Sequence, residues 1–175
     1  MTVNQVEQEL MSYISDHKIW NTHSHHLPEQ AMQDFNLDKL IGHTYLQWQQ
    51  ITPGTTAESR SAYLEKVRYK SYFVWLQKAI GELYGISEPI TAQNWDRISE
   101  EIRKAHQNPS FYLDVLKNKC KYQNIIVDTY WNPGSDNGRP ELFTPAFRLD
   151  LFFLGYQKGL RNHDGVSLEE QFGEL

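Results

Sequence analysis

Ile19-Trp20-Asn21-Thr22-His23-Ser24-His25-His26-Leu27 is the stretch on which the prediction of the fold rests. It predicts a β-strand over about residues 18–22 that ends in two histidines, His23 and His25, at positions i and i+2. Side chains alternate between the two faces of a strand, so both imidazoles project to the same side. Two neutral imidazoles on one face can bind a divalent metal ion, and barrel enzymes keep their chemistry at the carboxyl ends of strands. His23 and His25 are therefore candidate metal ligands, and a surface histidine cluster is the alternative.

Composition and charge exclude several classes of protein. The chain has 175 residues and a formal net charge of −5, a size that suits one domain or a little more. Its mild acidity argues against a nucleic-acid partner, and no apolar run is long enough to span a membrane. The N-terminus also does not resemble a signal peptide. The single cysteine, Cys120, excludes an internal disulfide and is interpreted as a packing residue; a reducing, cytoplasmic setting is expected.

Apolar side chains at helical spacing predict helices on both sides of the histidine motif. An amphipathic helix is expected over residues 3–16, and short helices broken by turns over 29–56. The clearest helix is expected over 58–84, capped by Gly85, and we interpret its apolar stripe as core packing. That stripe consists of Tyr69, Phe73, Leu76, Ile80 and Leu83. Further helices are expected after the N-cap residues Thr91 and Ser110, the first with Trp95, Ile98, Ile102 and Ala105 on one face.

Two later segments read as strands. Residues 124–130 form a β-branched run typical of a buried strand, and a loop follows over 132–138. A third strand is predicted over 147–153, with Arg148 and Asp150 on one face. The chain is thus expected to be α/β, with an N-terminal helix and first strand over 1–28, a helical insertion over 29–119, and further strands and helices over 120–175.

The last residues predict the beginning of another helix. Ser167-Leu168-Glu169-Glu170 has the pattern of a capping box. We expect the chain to be the N-terminal part of a larger protein, because a complete eight-stranded barrel needs about 250 residues. The alternative is that Leu175 is the true end and that the final helix docks on a compact domain.

Three segments, taken in order, match those of a known enzyme family. His23-Ser24-His25 with Leu27-Pro28 is similar to its His-x-His-Leu-x-Pro region, with the leucine and proline shifted by one residue. The turn Tyr84-Gly85-Ile86 and the helix after Thr91 are similar to its Phe-Gly-Ile turn and the helix that follows it. Phe147-Arg148-Leu149-Asp150 resembles its Phe-Arg-Pro-Asp segment. On these matches the chain resembles the N-terminal portion of the uronate isomerases, a branch of the metal-dependent amidohydrolase superfamily.

The resemblance implies a fold, a metal and a reaction. The fold would be the N-terminal part of a TIM (β/α)8 barrel with a large helical insertion after the first strand. One divalent metal ion, expected to be zinc, would be held partly by His23 and His25. The reaction would convert an aldose uronate into a ketose uronate through an enediol, which requires a base and an electrophile. Asp128 is the candidate catalytic residue, and Arg148 and Asp150 are candidates for binding the substrate.

Each of these roles has an alternative. Asp128 can instead cap a turn, and Arg148 can form an ion pair with Asp150 on the same strand face. Where the family usually has Thr-Thr-Asp-Asp-Pro, this chain has Asp128-Thr129-Tyr130-Trp131-Asn132-Pro133, and Phe147–Leu151 lacks the family's proline and lysine. A hydrolase or decarboxylase acting on a small carboxylate, or a non-catalytic barrel fragment, therefore stays open. The expected partners are a small sugar acid and, to cover open sheet edges, the remaining barrel half or a second copy in a homo-oligomer.

Overall fold

The computed structural model describes residues 2–46, 51–129, 132, 134–147, 159–161 and 167. The chain divides into two compact units. One unit contains the described residues of Met1–Leu27 and Lys121–Leu175 and is called the sheet unit. The other is Pro28–Cys120 and is called the helical unit. Among the described residues, no helix combines the length and the apolar character that crossing a membrane requires.

In the sheet unit, the described residues form three parallel strands. Its elements are α1 (Val3–Asp16), β1 (Ile19–Ser24), β2 (Tyr122–Val127) and β3 (Phe143–Pro145). The strands lie in the order β1-β2-β3, and both neighbouring pairs are parallel. Val127 is in register with Ser24 on one side and with Pro145 on the other. The carboxyl ends of all three strands therefore lie level along one edge of the sheet.

Of the described residues in the sheet unit, only some are packed in an apolar core. Ile125 and Val127 alternate along β2 and are fully buried, and Leu142 and Phe143 are buried at the start of β3. The predicted helix over 3–16 is confirmed, and it begins at a capping box formed by Thr2 and Gln5. All of its residues are exposed, however, including its apolar face.

The helical unit has a continuous apolar core. Its elements are α2 (Glu29–Met32), α3 (Leu37–Gly42), α4 (Ala57–Val67), α5 (Ser71–Tyr84), α6 (Trp95–His106) and α7 (Phe111–Leu113), with a π-helical segment at Asp114–Lys119. Helix α6 contributes the most deeply buried residues because Trp95, Ile98 and Ile102 repeat at helical spacing, as predicted. The core cluster consists of Leu37, Ile41, Leu46, Tyr63, Val67, Phe73, Ile80, Ile86, Ile90, Trp95, Ile98 and Ile102.

The predicted helix over 58–84 is wrong in one respect, because two helices occupy this region. Helix α4 ends at Val67 and α5 begins at Ser71. Tyr69 lies in the break between them, does not join the buried stripe and is 82% exposed, with the Arg68 guanidinium over its ring. The predicted cap at Gly85 is confirmed, since Gly85 has a φ of 72° and its N–H bonds to the Gly81 carbonyl.

The strands and helix starts also differ from the prediction in detail. The first strand is two residues longer at its carboxyl end and so includes His23, and the second is Tyr122–Val127 rather than 124–130. Asn94, not Thr91, is the N-cap of α6, because Thr91 and Asn94 form a turn before the helix.

The predicted third strand at 147–153 lies outside the described residues except for Phe147, and the predicted capping box at 167–170 lies outside them except for Ser167. The described β3 was not predicted.

Candidate metal centre

The candidate site forms where β1 and β2 end side by side. His23 is the penultimate residue of β1, His25 follows the strand directly, and Asp128 follows β2 directly. The Asp128 N–H donates to the Ser24 carbonyl oxygen at 2.8 Å, which extends the strand pairing by one residue. Parallel pairing therefore brings two histidines and a carboxylate from distant parts of the chain to the same edge of the sheet.

The three side chains converge on a small volume. The Nε2 atoms of His23 and His25 are 3.2 Å apart, close to the roughly 3.3 Å expected between two nitrogens bound to one tetrahedral zinc ion. The Asp128 Oδ2 atom lies 3.9 Å from His23 Nε2. One potential ligand atom from each residue lies within 4.8 Å of the others. If the carboxylate oxygen moved closer to the two nitrogens, the group would be a three-donor set of the kind that catalytic zinc sites use.

The orientation of His25 is set by a hydrogen bond to the backbone. Its Nδ1 atom is 2.7 Å from the carbonyl oxygen of Asp128. A carbonyl oxygen can only accept, so Nδ1 carries the proton and the neutral ring has its lone pair on Nε2. That lone pair faces His23 Nε2. Fixing the tautomer through the second ring nitrogen is the usual way in which proteins prepare a histidine for a metal.

Burial differs sharply across the group. The side chain of Asp128 is only 5% exposed, whereas that of His23 is 61% exposed. A carboxylate removed from water needs a positive group or a metal beside it, and here both histidines lie at its side. The site thus has a buried carboxyl group beside histidine side chains that are exposed to solvent. This arrangement suits a cation that also contacts a ligand from solution.

The structure brings together three of the five residues that the sequence singled out. His23, His25 and Asp128 meet, while Arg148 and Asp150 lie outside the described residues. Asp128 was predicted as a catalytic group, and the geometry adds the role of a third ligand, which sequence reasoning missed. The available signal was its position directly after a buried strand, since a carboxylate there shares an edge with the end of a neighbouring parallel strand.

One histidine outside the candidate site is buried. His106 is 9% exposed, and its Nε2 atom is 2.8 Å from the Tyr84 hydroxyl. Desolvation lowers its pKa, and a hydrogen bond to the Met32 backbone opposes that shift. His26, next to the site, is half-buried with its ring 5.7 Å from that of Phe143, and burial lowers its pKa.

Cys120 is not poised as a nucleophile. Burial raises the pKa of its thiol, which disfavours the reactive thiolate. This agrees with its interpretation as a packing residue.

A scan against protein-family models finds no match, and a search of curated proteins finds no significant match. What the described residues define is therefore a class of site rather than a family. It is a group of two histidines and one aspartate, at the carboxyl edge of a parallel sheet, that could hold a metal ion.

Proposed function

We propose that the protein is a divalent-metal-dependent enzyme of the amidohydrolase type, and that it isomerises a sugar acid from aldose to ketose. The observation that carries the metal-dependent part is the convergence of His23, His25 and Asp128 at the ends of two neighbouring parallel strands. The resemblance of three sequence segments to uronate isomerases supports the choice of substrate and reaction. Zinc is the proposed ion, because imidazole and carboxylate donors suit it.

The proposed architecture is the N-terminal part of a (β/α)8 barrel. Support comes from the parallel order β1-β2-β3 and from the insertion of an entire helical unit, Pro28–Cys120, after β1. Other ligands and substrate-binding groups would come from elsewhere in the barrel, either further along the protein or from a second copy. Arg148 and Asp150 stay candidates for binding the substrate carboxylate and hydroxyls, and the proposed setting is the cytoplasm.

The residues of the site have distinct proposed roles. A bound divalent ion would polarise a carbonyl or hydroxyl oxygen of the substrate. His25 presents its Nε2 lone pair because its Nδ1–H is held by the Asp128 carbonyl. The Asp128 carboxylate balances the positive charge and is placed to accept a proton if it is not itself a ligand. The isomerisation needs that base, since a proton leaves one substrate carbon and another is added to the adjacent carbon.

Metal titration tests the site. We expect the purified chain to bind about one Co²⁺ or Zn²⁺ per chain, and we expect His23→Ala, His25→Ala and Asp128→Asn each to weaken binding more than about a hundredfold. That figure is the upper end for residues that only orient ligands. His17→Ala and Asp16→Asn are matched controls, because both residues are exposed in the same unit and lie outside the group. If the site variants bound the metal ion as tightly as the controls and the wild-type chain do, the proposed metal centre would be refuted.

Activity separates the proposed reaction from its alternative. Incubation with aldohexuronates in D₂O, followed by proton NMR, should show a ketose product that carries solvent deuterium. The departure from the family pattern at Asp128–Pro133 favours a second candidate, a hydrolase or decarboxylase of the same superfamily. Release of carbon dioxide, or cleavage of an amide or ester, by metal-loaded protein that leaves uronates unchanged would support that candidate.

A further inference from the structure

We propose that Asn137 is a positioning residue that holds His25 in place through the backbone of His26. This proposal rests on the proposed metal centre. The Nδ2 atom of Asn137 donates to the carbonyl oxygen of His26 at 3.0 Å, a contact that joins the loop after β2 to the residue directly after His25. Asn137 touches neither histidine ring in this bond, so it would act on the site through the main chain.

The loop is shaped to present this amide. Asn137 has a φ of 54°, in the left-handed region that asparagine tolerates better than most residues. Its N–H donates to the Ser135 hydroxyl at 3.2 Å, and the next N–H, of Gly138, donates to the Asp136 carboxylate at 2.8 Å. These bonds fix the turn on both sides of Asn137. Its side chain is therefore directed by a preformed turn, which lowers the entropic cost of the bond to His26.

The bond completes a series along three consecutive residues. The Ser24 carbonyl accepts from the Asp128 N–H, the His25 ring donates to the Asp128 carbonyl, and the His26 carbonyl accepts from Asn137. The backbone on either side of His25 is thus attached to β2 or to the loop that follows it. Without the amide, the segment after His25 would lose this attachment to the loop, and the lone pair on His25 Nε2 would be less well placed.

Two substitutions separate this role from general loop stability. Asn137→Gly removes the amide but relieves the left-handed backbone, so the fold should be retained. Asn137→Asp keeps the side-chain shape but replaces the donor with an acceptor that faces a carbonyl oxygen. Asn132→Gly is the matched control, because it makes the same change at an exposed position of the same loop, and Asn132 keeps its backbone bond to Thr129.

The readouts are Co²⁺ affinity, from visible absorption, and the NMR signal of the His25 ring N–H. We expect Asn137→Gly and Asn137→Asp to lower Co²⁺ affinity about tenfold and to broaden the ring signal, while the thermal midpoint of unfolding stays the same. Asn132→Gly should keep the wild-type Co²⁺ affinity and a sharp ring signal. Wild-type affinity together with a sharp ring signal in both Asn137 variants would overturn the proposal. If the wild-type protein binds no metal, the proposed function fails, and a ring signal that survives in both variants overturns the role of Asn137 separately.

Discussion

The two units of this protein use burial for opposite purposes. The helical unit buries a continuous cluster of aliphatic and aromatic side chains around Trp95, Ile98 and Ile102. In the described part of the sheet unit, a shorter apolar row is buried on β2 and β3, and beside it a carboxylate, Asp128. Apolar burial favours folding, whereas a buried carboxylate opposes it unless a cation compensates. Among the described residues, apolar burial is therefore more extensive in the helical unit, and the candidate metal ligands lie in the sheet unit.

The largest expected loss of stability comes from a substitution in the core of the helical unit. Trp95→Ala should cost about 3–5 kcal/mol of unfolding free energy, because the ring is fully buried and its Nε1–H bond to Asp38 is lost as well. Trp75→Ala is the matched control, since that ring is 64% exposed, and should cost less than about 1 kcal/mol. Urea unfolding followed by far-ultraviolet circular dichroism measures both. Similar losses for the two variants would mean that α6 is not the centre of the core.

A pH-dependent effect should follow from His106. Desolvation lowers the pKa of this imidazole below its usual value of 6.5, so the unfolded chain binds a proton more readily than the folded one. Its contribution to stability is complete above that pH and declines as the pH falls from 6.5 towards the lower folded-state pKa. Hydrogen exchange of α6 amides, measured above and below about pH 6.5, should show protection lost on the acid side.

A double variant isolates that effect. The Tyr84 hydroxyl and the Met32 backbone hydrogen-bond the His106 ring, and the rings of Phe35 and Phe111 pack around it. His106→Leu combined with Tyr84→Phe removes the imidazole and the hydroxyl together and should flatten the pH dependence in α6. His17→Ala, at an exposed histidine, should leave it unchanged. A slope that persists in the double variant would assign the acid sensitivity to another group.

The smallest expected effect compares two helix caps. Thr2 and Thr56 each form a capping box, the first at exposed α1 and the second at α4, which contributes Tyr63 and Val67 to the core. Thr56→Ala should lower the unfolding free energy by about 1 kcal/mol, because α4 is coupled to the packed cluster. Thr2→Ala should fray α1 locally and leave the global midpoint unchanged. Equal shifts of the midpoint would show that α1 is as strongly coupled to folding as α4.

Local patterns predicted the helices well and the small strand poorly. Helix α1 and the buried face of α6 follow from 3.6-residue periodicity, which depends only on nearby residues. The break between α4 and α5 was missed, because the apolar spacing continues across it. Strand β3 was also missed, since Phe143–Pro145 is short and ends in proline, so that its pairing with β2 defines it more than its own composition.

The sequence by itself determined that the side chains of His23 and His25 face the same way, because residues two apart along a strand do so whatever surrounds them. Only the tertiary structure decided which carboxylate joins them and which amide holds the adjacent backbone. His25 and Asp128 are 103 positions apart, and His26 and Asn137 are 111 apart. Contacts at such separation depend on the parallel pairing of β1 with β2. Local sequence marks each strand and its end, but which strands lie side by side is a property of the folded chain as a whole.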